Sequence, residues 1–130
     1  MLDHIGFAVT DYQAAKTFYA AALAPLSIAL LFEVTPEQTG GGSHAGFGRE
    51  GKPFFWIGDS GAAVSGVHIA LTAASRTEVD AFYHAAIGAG GRDNGAPGLR
   101  PHYHADYYGA FVFDADGNNI EAVCHKPASG

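Results

Sequence analysis

An internal repeat limits what this chain can fold into more than any other feature. The segment "HIGFAVTDYQAAKTFYAAAL" from His4 and the segment "HIALTAASRTEVDAFYHAAI" from His68 align without a gap at an interval of 64 residues. Six of the 20 pairs are identical: His4/His68, Ile5/Ile69, Phe18/Phe82, Tyr19/Tyr83, Ala21/Ala85 and Ala22/Ala86. Ordinary residue frequencies would give about one or two. A competing reading is that any strand followed by an amphipathic helix resembles any other, but an aromatic pair in register with the histidines favours duplication. Each copy is then one supersecondary unit that completes its core against the other.

Both copies begin with alternation. Ile5, Phe7 and Val9 share one face and His4, Gly6 and Ala8 the other, while Ile69, Leu71 and Ala73 oppose His68, Ala70 and Thr72. The apolar faces suit a covering helix, and each histidine stands among small side chains that leave space for a ligand. Asp11 is the expected N-cap of a first helix that turns Ala14, Ala15, Phe18 and Ala22 inward and ends before Pro25. Ser75 with Glu78 forms a capping box for a second helix carrying Val79, Phe82, Tyr83, Ala86 and Ile87, closed by Gly88 and Gly90. Phe18 and Phe82 are core residues on this pattern. Strand-like segments follow: "SIALLFEV", "SHAGFGRE" and "KPFFWIG" in the first half, then a loop-rich stretch with only a faint strand, "YYGAFVFD" and "NNIEAVCH" in the second. Asp116-Gly117 marks a tight turn between the last two strands. "TPEQTGGGSHAGFG" begins as a loop or lid. Each half reads βαβββ, with module 1 over about residues 1–60 and module 2 over about 66–126 of a single domain, 1–130.

Composition narrows the partners. With 130 residues, 48% of them hydrophobic, the chain has one core and is too short for two ordinary domains. A formal charge of −6 with seven Lys and Arg lacks the basic patch that nucleic acid or an anionic membrane requires, so a small molecule is the expected partner. "AAALAPLSIALLF" is too short to cross a bilayer and is interrupted by Pro25, and no basic segment leads into an apolar one at the start. The lone Cys124 rules out an intramolecular disulfide, which fits a reducing cytoplasm.

"DHIGFAVTDYQAAKTFY", "PFFWIG", and "VHIAL" through "FVFDADGNNIEAVCH" together resemble the vicinal-oxygen-chelate superfamily, which includes glyoxalase I, fosfomycin-resistance thiol transferases, extradiol dioxygenases and bleomycin-resistance proteins. The strand followed by Asp-x-Asp-Gly-Asn and Ile-Glu carries most of the resemblance. It implies an α+β fold of two βαβββ modules curled into a funnel-like half-open barrel, usually closed by a homodimer. It also implies a divalent metal ion, Fe2+, Mn2+, Zn2+ or Ni2+, held by His4, His68 and Glu121. Residue patterning is consistent with this, because Glu121, Val123 and His125 share one face of the last strand and Ile120, Ala122 and Cys124 the other. Two imidazoles and a carboxylate hold such ions and leave positions for substrate. The bland alternative makes the histidines ordinary strand-start residues and Glu121 an edge charge.

The repeat interval carries Glu121 onto Ile57, so a fourth, acidic or amide ligand of the glyoxalase I kind is expected to be missing. A second patch, "LRPHYHADYYGAF", gathers titratable groups before the penultimate strand. If it folds over the funnel, Glu121, His102, Tyr103, His104 and Tyr107 are candidate acid–base residues, and Arg100, Tyr108, Phe55 and Ile57 candidate substrate contacts, with Arg100 facing an anionic group. Otherwise it is a solvated loop with aromatic residues on the rim. His125 is a candidate supporting group, whereas His44 and His84 read as bystanders and Cys124 as an inert core thiol. The expected activity is that of a metal-dependent enzyme, lyase- or dioxygenase-like, acting on two neighbouring oxygens of a small molecule. A metal-free drug-sequestering protein of the bleomycin-resistance type is the alternative. A ferredoxin-like barrel is the rival fold, but it has too few strands to absorb "SHAGFGRE" and "KPFFWIG".

Overall fold

The alternating starts of the two copies become parallel edge strands in a computed structural model that describes residues 1–128. In the first half, β1 (Ile5–Ala8), helix α1 (Tyr12–Leu23), β2 (Ala29–Val34), a single-turn helix α2 (Pro36–Thr39), β3 (His44–Arg49) and β4 (Lys52–Gly58) form a sheet of order β1-β4-β3-β2. The second half repeats the plan with β5 (His68–Thr72), α3 (Arg76–Gly88), β6 (Arg92–Leu99), β7 (Tyr108–Phe113) and β8 (Asn119–Cys124) in the order β5-β8-β7-β6. Each sheet is mixed, β1 running parallel to β4 and β5 to β8, and neither closes into a barrel. The fold is α+β, two βαβββ units side by side.

Caps place the helices. Asp11 accepts from the Ala14 amide at 3.0 Å, and Ser75 Oγ from the Glu78 amide at 3.1 Å, while the Glu78 carboxylate reaches back to the Ala74 amide at 3.0 Å. Helix α1 is stopped by a 3-10 turn at Ala24–Leu26 carrying Pro25. Its buried face is Tyr12, Phe18, Tyr19, Ala22 and Leu23, whereas Ala14, expected inward, is exposed because it lies one position off the stripe. α1 packs on α3, and both cover the sheet faces that carry Phe47, Phe55, Ile57, Val112, Ile120 and Ala122. Phe18, Phe82 and Cys124 are core residues. The faint strand of the second half is β6, eight residues long and irregular in register at Gly95. The stretch "TPEQT" forms α2, closed by a Thr35–Gln38 capping box and by Gly40 at φ 72°. Among the described residues no helix is long and apolar enough to cross a membrane.

The turn between β7 and β8 is a clasp between the two units. Buried Asp114 accepts from Tyr19 Oη at 2.5 Å, from the Asn118 amide at 2.9 Å and side chain at 3.1 Å, and from the Asp116 amide at 3.0 Å. Asp116 accepts from both the backbone and the hydroxyl of Thr10, at 3.1 and 2.6 Å, and Asn118 binds the Val67 amide and the Val64 carbonyl. Gly117 takes φ 85°, which glycine adopts at little cost. The aspartate holds the Tyr19 hydroxyl protonated well above the ordinary tyrosine range, burial being the larger cause and the carboxylate the next.

Removing the Asp114 carboxylate leaves the buried Tyr19 hydroxyl and two turn amides without acceptors. Asp114→Ala should lower unfolding free energy by about 3 kcal/mol, and Tyr19→Phe, which removes one donor from a carboxylate that keeps the others, by about 1 kcal/mol. Urea denaturation at constant m-value measures both. Equal and small losses would show that the clasp contributes little.

Candidate active site

Faces turned away from the helices carry the chemistry. On the second sheet Ala70, Glu121, Phe111 and Gly95 lie in one row across four strands, because β5 pairs Ala70 with Glu121, β7 pairs Phe111 with Glu121 and β6 pairs Gly95 with Phe111. His68 is on the same face two positions before Ala70. Its Nε2 stands 2.9 Å from Glu121 Oε1, and the other carboxylate oxygen accepts a short hydrogen bond from the Tyr107 hydroxyl. Glu121 is only 1% exposed although it faces the open side, since the loop from Arg100 to Tyr107 folds over it. That loop is tied by Arg100 N to the Tyr107 carbonyl at 2.7 Å and Tyr103 N to the Arg100 carbonyl at 2.9 Å. Burial, then the bond to Glu121, pushes Tyr107 above the ordinary tyrosine range, so it stays a donor at neutral pH.

Around Tyr107 stands a group of rings. His104 and His125 stack at an interplanar angle of 23°, Nε2 of one 2.6 Å from Nδ1 of the other, and Tyr107 meets both edge-on. Tyr103 packs on Tyr107 and His102 on Tyr103. Together His68, His102, Tyr103, His104, Tyr107, Phe111 and Glu121 surround a cleft of about 550 Å3.

Other sequence candidates lie elsewhere. His4 precedes β1, is exposed, and rests 2.7 Å from Asp3, which also holds Lys52 at 2.7 Å. It shares with His68 a cleft between the β1 and β5 edges, but no set of three His, Cys, Asp or Glu assembles among the described residues of one chain. Phe55 and Ile57, expected as substrate contacts, are buried at 0% and 1% exposure against the helices. Tyr108 also turns to the helix side, where its hydroxyl donates to Asp80 at 2.6 Å and its ring lies under Arg76. His84 lies in α3 beside Tyr83.

Ile57 is not the counterpart of Glu121. β4 pairs Gly6 with Trp56 as β8 pairs Ala70 with Glu121, so the repeat interval is 64 residues in the opening strands and 65 in the closing ones. One residue of slip reverses the face of a strand. The counterpart is therefore Trp56, half-buried on the open face, whose ring crosses Gly46 so closely that a Cβ there would meet it at 2.8 Å. His44 joins it on that face, opening β3 with Ser60 Oγ 3.5 Å from its Nε2, rather than standing in a glycine loop. Strict alternation along "KPFFWIG" would have separated Trp56 from Ile57; Phe111, the wall beside Glu121, had only its place in β7 as a signal.

The family also implies a metal. Adjacent ligands of one divalent ion stand about 3 Å apart when each bond is about 2.1 Å. His68 Nε2 and Glu121 Oε1 have that separation. Glu121 is a buried carboxylate, and among the described residues His68 is the only group capable of positive charge within ion-pair distance of it. The pair thus fits one edge of a metal's coordination sphere, with Tyr107 steadying the carboxylate from behind.

The chain belongs to the Glyoxalase/Bleomycin resistance protein/Dioxygenase superfamily, whose family model matches residues 1–122. Among solved structures it is similar to a glyoxalase/bleomycin resistance protein from Albidiferax ferrireducens T118, at 28% identity and a TM-score of 0.78 over 98% of this chain and 99% of that one. Glyoxalase I from Zea mays shares the fold, at 17% identity and a TM-score of 0.71, with 98% of this chain covering 45% of the maize chain. So does a glyoxylase/bleomycin resistance protein/dioxygenase domain from Frankia sp. EAN1pec, at 15% identity and a TM-score of 0.69 over 97% and 98%. No curated protein matches the chain significantly.

The opposed faces of neighbouring residues in β4 give a direct check. Ile57→Ala should cost about 2–4 kcal/mol as a core truncation. Trp56→Ala, on the open face, should cost less than half as much. Urea unfolding of the two variants decides it, and a larger loss at Trp56 would return Ile57 to the open face.

Proposed function

We propose that the protein is a metal-dependent enzyme of this superfamily that acts on a small molecule presenting two neighbouring oxygens. The observation that carries the reading is the His68–Glu121 pair at 2.9 Å, its carboxylate buried at the floor of an aromatic cleft and its imidazole exposed to that cleft. His68 and Glu121 hold the ion, and His4 of a second copy completes the set, because in a single chain His4 stands with Asp3 and outside the Glu121 cleft. The four-stranded open sheets support such pairing, since each leaves one face uncovered by a helix. A divalent ion there supplies Lewis acidity to both substrate oxygens.

This chain's own groups do the rest. Tyr107 holds Glu121 in one orientation and keeps its proton at neutral pH. His104 and His125, hydrogen-bonded at 2.6 Å, are the imidazoles next to Tyr107 placed to take or give a proton at the cleft mouth. Tyr103, His102 and Phe111 line the cleft and offer aromatic surface to the bound molecule. With Trp56 where a second carboxylate would stand, proton transfer of the glyoxalase I type between adjacent carbons has no base on that side. Hemithioacetal isomerisation should therefore be absent or very weak.

Metal retention after gel filtration, read by elemental analysis, tests the ligand set. His68→Ala, Glu121→Ala and His4→Ala should each weaken binding by at least about tenfold, and Trp56→Ala should leave it nearly unchanged. In a dimer with shared sites, mixing His4→Ala with His68→Ala chains restores one intact site in each mixed pair, so the mixture should regain metal that neither variant holds alone. A metal-retaining monomer would overturn the shared site. Failure of every metal form to give a spectral change with catechols would favour the sequestering alternative.

Replacement of the indole by a carboxylate gives a converse outcome. Trp56→Glu should tighten metal binding by adding an oxygen ligand, as competition with a chelator would show, whereas Ile57→Glu should unfold the protein by placing a charge in the core.

A further inference from the structure

The strand β6, Arg92–Leu99, is built to let one arginine lie across it. Its open-face positions after Arg92 are glycines, Gly95 opposite Phe111 and Gly98 opposite Gly109. A Cβ on Gly95 would come within 3.2 Å of Arg100 Nη2, and one on Gly98 within 3.1 Å of Nη1. Gly95 also takes φ 150°, which favours glycine. Over this lowered surface the Arg100 side chain folds back until its guanidinium carbon is 5.4 Å from the centroid of Phe111. Phe111 is the register neighbour of Glu121, and its ring centroid is 6.3 Å from that of His68. Metal-ligand pair, apolar floor and cation therefore follow one another along one row of the sheet.

The cation is open to an anion. Nη2 donates to the Ala96 carbonyl at 2.8 Å and Nη1 makes a long contact of 3.5 Å with the Leu99 carbonyl, and no carboxylate lies within 4.0 Å among the described residues. Lys16, Lys52 and Arg76 are by contrast each paired with an acid. A planar guanidinium offers five donors in a fork that matches a carboxylate, and its half-buried setting over an aromatic ring strengthens the attraction. Arg92 repeats the arrangement over Phe113 at 5.1 Å on the same face, so two guanidinium groups stand on the open side of this sheet.

We propose that the substrate is a small organic carboxylate: its carboxylate binds the free edge of Arg100, its carbon frame lies over Phe111, and its two neighbouring oxygens reach His68 and Glu121. This rests on the proposed role of the His68–Glu121 pair, and the experiment separates the two. Titration calorimetry of the Mn(II)- or Zn(II)-loaded protein compares catechol with 3,4-dihydroxybenzoate, and nitrogen–proton NMR follows the Arg100 Nε–H resonance of the metal-free protein during addition of benzoate. The carboxylated catechol should bind at least tenfold more tightly than catechol. Arg100→Gln should abolish that preference, Arg100→Lys should retain only part of it, and catechol itself should bind both variants as it binds the unmodified protein. Benzoate should shift the Arg100 resonance, identified by its loss in Arg100→Lys. Equal affinity for the two catechols, a preference that survives Arg100→Gln, or an unresponsive Arg100 resonance would each overturn the proposal while leaving the metal site standing. Absence of any catechol binding with a responsive Arg100 would instead remove the metal site and keep the carboxylate contact.

Discussion

The arrangement of this molecule depends on one buried carboxylate. Asp114 sits at the end of β7, yet its acceptors hold Tyr19 from the first helix and fix the turn that presents Asp116 to Thr10. An unpaired carboxylate there would be costly, and so would an unpaired Tyr19 hydroxyl; each satisfies the other. The bond therefore constrains how the two repeats lie against each other. Because it sits on the helix side, it also directs the uncovered faces of both sheets outward, where His68, Glu121 and Trp56 are found. The Asp-x-Asp-Gly-Asn run thus belongs to architecture.

Glu121 shows the opposite balance. Its strand could have satisfied packing with another apolar residue, since Ile120, Ala122, Val123 and Cys124 around it are all buried. Placing a carboxylate in that row incurs a desolvation cost that a tyrosine hydroxyl and an imidazole offset only in part. The metal ion proposed above would offset the remainder. The loop from Arg100 to Tyr107 orients the carboxylate through Tyr107 and sets its aromatic residues along the rim of the cleft.

What was legible in the sequence follows the same physics. The repeat, both helix caps and the face of Glu121 were readable because each is local, fixed by alternation or by a side chain bonding a few residues away. Tyr108 was not, since it shares a motif with Tyr107 but has the opposite parity, and a run of adjacent polar aromatics hides that parity. β6 was faint because glycine and proline have low strand propensity, and Gly95 and Gly98 leave room for the Arg100 side chain instead. The error at Ile57 came from carrying a rigid interval across loops of unequal length. A gapless repeat is trustworthy only within the segment that established it, and strand parity is the stronger guide beyond.

That correction changes how the duplication is understood. Read with Ile57, the first half had lost its ligand to the core and become scaffold. With Trp56 in that place, the first half keeps an open-face position facing outward and fills it with an indole laid over Gly46, beside His44. The two copies have diverged into complementary surfaces, one with an imidazole and a carboxylate, the other with an imidazole and a flat apolar ring. In the dimer proposed above, pairing them would put three protein ligands around an ion and an aromatic wall where a fourth ligand would be. Such a site has open coordination positions on one side and a surface suited to planar carbon frames on the other. With an indole in place of a second carboxylate, the proposed site would lack a base for proton transfer between neighbouring carbons and would select what it chelates by shape.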